Sequence, residues 1–216
     1  MKKNLTELVF ILDRSGSMQG LESDTIGGFN STLQSQRAEE GECIITTVLF
    51  DNLYELLHDR IPIKGVEPLT DKDYYVRGST ALHDAVGITL AKIDNVQKNT
   101  AKSERADKVI FVIITDGQEN SSREYTGAQV HNMLSAKKEE GWEFLFLGAN
   151  IDAKETAAKL GIDAARAADF VPDALGTQTL YNSVSEGIKS LRARRPLEAN
   201  WKKEIEADYK KRGKKE

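Results

Sequence analysis

The stretch KVIFVIITDG, residues 108–117, decides the fold. Six apolar residues follow one another without a break from Val109 to Ile114. A strand with one wet face alternates apolar and polar residues, so an unbroken run belongs to a central strand covered on both faces. Such a strand sits in a mostly parallel sheet with helices above and below it. Asp116 is the first charge after the run, in Thr115-Asp116-Gly117, where the strand must end.

The segments on either side repeat the same logic. Leu8–Leu12 reads as a short buried strand, and Ser23–Arg37 as a helix with Ile26, Phe29 and Leu33 on one face. Glu42–Phe50 is β-branched and strand-like. Leu53–Asp59 follows after the turn-forming pair Asp51-Asn52, which predicts an antiparallel hairpin. Leu82, Val86, Ile93 and Val96 mark a second helix beginning after Thr80. Tyr125–Glu140 is helical and stops at Gly141, a natural residue just past a helix end. Phe144–Leu147 is another buried strand, Asp152–Leu160 a helix up to Gly161, Asp169–Val171 a short strand, and Ala174–Arg194 a last long helix. Strands separated by helices predict an α/β, doubly wound, mostly parallel six-stranded sheet. It carries one antiparallel edge strand and helices on both faces.

Length and charge bound the rest. The chain has 216 residues, which suits one α/β domain over 1–190 with a basic helical extension over 191–216. From Lys189 to Glu216 there are 11 Lys and Arg against 5 Asp and Glu, a net +6, which leaves −10 on residues 1–188. An acidic body argues against nucleic-acid binding, because phosphate contacts need clustered cations. Cys43 is the only cysteine. It reads as a small buried hydrophobe, it has no intrachain disulfide partner, and a cytoplasmic, reducing setting is expected. Lys2 and Lys3 resemble the start of a signal, but the five apolar residues that follow are too few for one, and no membrane contact is expected.

Beyond Pro196, Leu197, Trp201, Ile205 and Tyr209 recur every four residues as a narrow apolar stripe on a basic helix. That stripe suits packing on the domain, a partner surface, or a nucleic-acid or membrane contact.

Three short segments fall at strand ends or before a helix, and they carry the chemistry. In Asp13-Arg14-Ser15-Gly16-Ser17, period two points Asp13, Ser15 and Ser17 to one side, and Gly16 lets the chain bend. In Arg77-Gly78-Ser79-Thr80-Ala81, Thr80 stands just before a helix. In Thr115-Asp116-Gly117, Asp116 closes the central strand. Two carboxylates and three hydroxyls make a hard, all-oxygen donor set that suits Mg²⁺ first, or Mn²⁺ or Ca²⁺, and not Zn²⁺. Two carboxylates only just neutralise a dication. A cation held this way stays electrophilic, with a position open to an acidic side chain from a partner protein.

The segment Asp13-Arg14-Ser15-Gly16-Ser17-Met18, with Thr80 and Asp116, resembles the metal-ion-dependent adhesion site of von Willebrand factor A domains over roughly residues 5–190. The resemblance implies strand order 3-2-1-4-5-6. It implies that Ser15, Ser17 and Thr80 ligate through hydroxyls, and that Asp13 and Asp116 ligate directly or through water. It further implies a protein-recognition module and not an enzyme. Arg14, Met18, Gln118 and Glu119 flank these loops and are expected to form a partner-binding rim. Asp84 is expected to serve the helix dipole. His58 and His131 read as structural, His83 as a surface or packed histidine, and Trp142 as core. Two alternatives remain. One is a Mg²⁺-dependent phosphohydrolase using Asp13 as nucleophile, although Ser15 stands where its second acid belongs. The other is a scaffold acting through the basic C-terminal helix.

Overall fold

Side chains along a strand alternate between the two faces of a sheet, and in the central strands of this protein both sets are apolar. The computed structural model describes residues 2–213, with backbone alone for Lys2, Lys3 and Ala199. The last three residues of the basic tail lie outside the described residues. Strand β1 (Lys2–Asp13) runs parallel to both its neighbours, β2 (Glu42–Phe50) and β4 (Ala106–Thr115). β3 (Tyr54–Pro62) pairs antiparallel with β2 at one edge, while β5 (Glu143–Gly148) and β6 (Ala167–Asp169) extend the other side in parallel. The sheet order is β3-β2-β1-β4-β5-β6. It is the mixed, helix-flanked sheet expected from the 109–114 run.

Alternation divides that run between two cores. Ile110, Val112 and Ile114 join Leu8, Phe10 and Leu12 on one face, under α1 (Glu22–Arg37) and α5 (Ala174–Arg192). Phe111 and Ile113 join Val9 and Ile11 on the other face. There α2 (Leu82–Asn99), α3 (Gly127–Glu139) and α4 (Ala153–Lys159) cover them. Cys43 and Trp142 are both buried, as expected. Local chemistry starts the helices: Thr126 and Gln129 form a reciprocal capping box on α3, and Asp152 and Asp173 cap α4 and α5. Among the described residues, no helix is long and apolar enough to cross a membrane.

Several boundaries differ from the sequence expectation. β1 starts well before Leu8, because its polar residues Thr6 and Glu7 are buried too. The Glu7 carboxylate takes two bonds from Arg60, at 2.8 and 2.9 Å, and one from Gln97 at 3.0 Å. A buried carboxylate with this set of partners does not break a strand, although in the sequence it ends the apolar pattern. β6 lies at Ala167–Asp169 and not at Asp169–Val171. Its alanines carry helical propensity and no strand signature, and the sheet edge they complete is set by pairing with Phe146–Gly148 of β5.

After Pro196 the chain makes a 3-10 turn over Ala199–Lys202 and then α6 (Lys203–Arg212). The apolar stripe faces the domain: Leu197 and Ile205 are buried in the α1–α5 core, and Trp201 packs beside them. The Trp201 Nε1–H donates to the Ala165 carbonyl at 2.9 Å. Lys202 places its Nζ against the Ala164 and Ala167 carbonyls at 2.6 and 2.7 Å. Arg212 reaches both Asp173 and Asp208.

The contact of α1 with α5 depends on Gly28. A methyl group there would stand 2.1 Å from Cδ2 of Tyr181. Gly28→Ala should therefore cost about 1–3 kcal/mol through overpacking, read as a lower urea midpoint with an unchanged slope.

Candidate metal centre

β1 and β4 are adjacent, but their C-terminal connections leave toward opposite faces, to α1 and to α3. A crevice must open between the two strand ends, as it does wherever an open α/β sheet reverses its order. The predicted segments all meet there. Asp13 ends β1, and the Thr115 hydroxyl on the neighbouring strand donates to its Oδ2 at 2.5 Å. The Ser15 backbone N–H donates to Asp13 Oδ1 at 2.7 Å. Ser15 and Ser17 lie with their hydroxyl oxygens 3.0 Å apart, across the 3-10 turn Gly16–Met18. Thr80 Oγ1 donates to Ser15 Oγ at 3.0 Å, which joins the second segment to the first.

The third segment completes the cluster through a glycine. A Cβ on Gly117 would stand 2.7 Å from Thr80 Oγ1, 2.9 Å from Ser17 Oγ and 3.6 Å from Ser15 Oγ. All three hydroxyls thus converge on one point beside Asp116, and only a residue without a side chain leaves that point clear. Asp116 itself is 2% exposed, and neither of its carboxylate oxygens has a hydrogen-bond partner of ordinary geometry. Burial pushes its carboxyl up to about 6, against the pull of the Ser17 hydroxyl and helped by the negative charge of Asp13. Burial likewise raises Asp13, against the bonds from Thr115 and Ser15. Two buried acids that resist ionising, one of them with no well-formed hydrogen bond among the described residues, form an arrangement that a cation would satisfy. Among the described residues, no group of three or more His, Cys, Asp or Glu side chains could hold a metal; this cluster takes three of its five oxygen-bearing side chains from Ser and Thr.

The expected rim is partly wrong. Arg14 is 0% exposed and Met18 2% exposed, so neither side chain faces a partner. Arg14 turns inward because two carboxylates await it: Nε reaches Asp51 at 3.2 Å and Nη2 reaches Glu55 at 2.6 Å. Met18 is an apolar residue on a tight turn over the core. Gln118 is exposed as expected. Glu119 is not a free charge. It accepts the backbone N–H groups of Ser121 and Ser122 at 2.9 and 2.8 Å, and that of His83 at 2.9 Å, in the first turn of α2. Burial would raise its carboxyl, but these bonds hold it below the ordinary carboxylate range. Asp84 also does more than face a dipole, since it gathers the N–H groups of Arg123, Glu124 and Tyr125 at 2.7, 2.9 and 2.7 Å.

Two roles at the site are not visible in the sequence: Thr115 orients Asp13, and Gly117 keeps the hydroxyls' meeting point open. Their positions next to Asp116 were the only signal. Asn120, which the sequence places on the rim after Gln118 and Glu119, exchanges bonds with the Thr80 backbone at 2.9 and 3.0 Å. The histidines are structural, as expected: His58 pairs with Thr47 at 3.0 Å and His131 with the Lys159 carbonyl at 3.1 Å. A groove of about 900 Å³ opens from Gln118 and Glu119 between α3 and α4, lined also by His83, His131, Ile151 and Asp152. Among the described residues, Leu53, Tyr75 and Leu175 are the large hydrophobic side chains that stand exposed.

No protein-family model matches the sequence, and no curated protein matches it either. Solved structures do match in fold. The von Willebrand factor domain of the type V pili tip protein Mfa5 from Porphyromonas gingivalis superimposes with a TM-score of 0.61 at 11% identity, over 89% of this chain and 98% of that one. Proximal thread matrix protein 1 from the mussel byssus, with a zinc-occupied metal-ion-dependent adhesion site, gives 0.58 at 14% identity over 85% of this chain. This chain spans 46% of the mussel protein's length. Manganese-loaded TRAP protein from Plasmodium vivax gives 0.56 at 14% identity, over 83% of this chain and 73% of that one. The fold is that of the von Willebrand factor A domain.

The burial of Asp116 sets a pH dependence. Its carboxyl titrates near 6 in the folded chain and near 3.8 in an unfolded one. Between those values the folded state holds a proton that the unfolded state has lost, so stability must fall as pH rises through that window. In EDTA, the wild type should lose stability relative to Asp116→Asn from about pH 4 to about pH 6 and hold a constant difference above. Urea unfolding of both proteins checks it, and a flat difference across the window would refute the desolvated carboxyl.

Proposed function

We propose that this protein is a cation-dependent protein-recognition module. Ser15, Ser17 and Thr80 would hold one divalent ion through their hydroxyls, with Asp13 and Asp116 ligating directly or through water. The observation that carries the reading is the convergence of three hydroxyls beside a buried Asp116 carboxylate that finds no hydrogen bond of ordinary geometry among the described residues. A bound dication supplies a Lewis-acidic centre able to take an acidic side chain of a partner protein. The chain's own groups prepare that event. Thr115 and the Ser15 N–H hold both oxygens of Asp13 in place. Gly117 admits the ion, and the neutral hydroxyls leave its charge only just balanced. The groove beside Gln118 gives room for the partner's flanking chain.

Mg²⁺ is the proposed physiological ion, with Mn²⁺ and Ca²⁺ as close competitors. An all-oxygen set disfavours Zn²⁺, yet zinc occupies the corresponding motif of the mussel protein, so Zn²⁺ joins the titrations. A cytoplasmic setting remains part of the proposal. It rests on Cys43 being the single cysteine, which leaves no intrachain disulfide to form.

The phosphohydrolase reading is disfavoured by Asp13 itself. A nucleophilic carboxylate needs a free oxygen facing solvent, and Asp13 is 1% exposed with both oxygens engaged. The scaffold reading loses its apolar face, since Leu197 and Ile205 are buried against the domain.

Calorimetric titration should give one site. A cation at one hundred times its dissociation constant should stabilise the fold by about 2.7 kcal/mol. Thr80→Ala and Asp13→Ala should remain folded and lose both the heat and the stabilisation. A pull-down from the native organism should recover a partner in Mg²⁺ and lose it in EDTA. Absence of heat with all four cations would sink the proposal, as would a partner retained by Thr80→Ala in EDTA.

A further inference from the structure

An ionic cluster with Arg14 and Asp51 at its buried centre, and Glu55 and Arg77 half-buried around them, lies beside the hydroxyl-bearing loops and outside the proposed ligand set. Arg14 sits between two proposed ligands, Asp13 and Ser15, and its guanidinium spans Asp51 at 3.2 Å and Glu55 at 2.6 Å. Tyr75 lies under it, with the ring centre 5.4 Å from the guanidinium carbon. Asp51 is 0% exposed and is shared. Its Oδ2 also takes Arg77 Nε at 2.6 Å, its Oδ1 takes the Leu53 N–H at 2.7 Å, and its backbone carbonyl takes the Ala81 N–H at 2.8 Å, one residue beyond Thr80. Backbone bonds complete the stitching. Arg14 N–H donates to Phe50 O at 2.8 Å, Arg77 N–H to Arg14 O at 2.9 Å, and Gly16 N–H to Gly78 O at 3.2 Å.

Resting on the cation-site reading above, we infer that Arg14, working with Asp51, is a positioning residue that fixes the distance between the Ser15–Ser17 loop and Thr80. Stability alone does not account for the cluster. Buried ion pairs are often no better for folding than well-packed apolar side chains, and this one leaves Arg14 Nη1 buried without a partner. What it does supply is geometry. A planar fork bridges two carboxylates at fixed spacing, which a lysine, with one charged atom, cannot reproduce. Asp51 carries the constraint onward, because one residue holds the guanidinium with its side chain and the Thr80 loop with its backbone. Groups behind a ligand shell commonly govern metal affinity by one to two orders of magnitude in this way.

The test compares Arg14→Lys and Asp51→Asn with Glu7→Gln, which disrupts a different buried ion pair, Glu7 with Arg60. Amide hydrogen exchange in EDTA reads the positioning directly. The amides of Gly16, Arg77 and Ala81 should exchange at least about tenfold faster in the two site variants and at the wild-type rate in Glu7→Gln, with Val112 in β4 as the internal reference. Mn²⁺ titration under conditions where all four proteins are folded reads the consequence. The dissociation constant should rise about tenfold or more in Arg14→Lys and Asp51→Asn and stay unchanged in Glu7→Gln. Unchanged loop amides in both site variants overturn the inference. Faster amides with wild-type Mn²⁺ affinity overturn it as well, since the loops would then move without the ligands. A wild type that binds no Mn²⁺ while the amide pattern appears as expected overturns the cation site and leaves the loop linkage standing.

Discussion

A parallel sheet that sends its connections to opposite faces from two adjacent central strands cannot close over their C-terminal ends. In this protein those strands are β1 and β4, and everything of chemical interest stands in the gap they leave. Both strands are also buried on both faces, by two separate cores of alternating residues. Apolar burial of the strands thus compels polar residues at their ends to face one another, in a place that water reaches poorly.

Bringing carboxylates into such a place is unfavourable, and the structure shows two different answers. Asp13 is satisfied inside the chain by Thr115 and the Ser15 N–H. Asp116 finds no hydrogen bond of ordinary geometry among the described residues, although the Ser17 hydroxyl pulls on it. Around them, every loop is pinned by an acid that gathers donors: Asp51 holds the hairpin turn and the Thr80 loop, Glu119 holds the start of α2, and Asp84 holds the segment leading to α3. Stiff loops keep three hydroxyls on one point while they bond to each other. On the proposed reading, such a site would exchange weak hydroxyl–hydroxyl contacts for bonds to an incoming cation, with little rearrangement of the backbone to oppose it.

How far the site could be read before folding was known depended on the kind of residue. The three oxygen-bearing segments that the structure brings together were legible because their oxygens are spaced by two along an extended stretch or stand next to a strand end. Arg14 and Met18 were misplaced because residues flanking a loop motif carry no mark of which way they point. Only the carboxylates of Asp51 and Glu55, brought alongside by the hairpin, turn Arg14 inward. Asp84 was read as a helix-dipole residue, and its grip on three successive backbone N–H groups depends on a loop 39–41 residues away in the chain. The C-terminal stripe had several destinations open to it, and the core under α5 decided among them.

The sequence by itself determined the order of strands and helices, the two-faced burial of the sheet and the five oxygen donors, because periodicity and local turn chemistry are properties of neighbouring residues. Tertiary structure alone decided that the hydroxyls meet beside Gly117, that Asp116 is buried with no well-formed hydrogen bond among the described residues, that Arg14 turns inward and that Glu119 reaches the start of α2. Each of those outcomes depends on how groups far apart in the chain are placed against one another, and no local pattern encodes that placement.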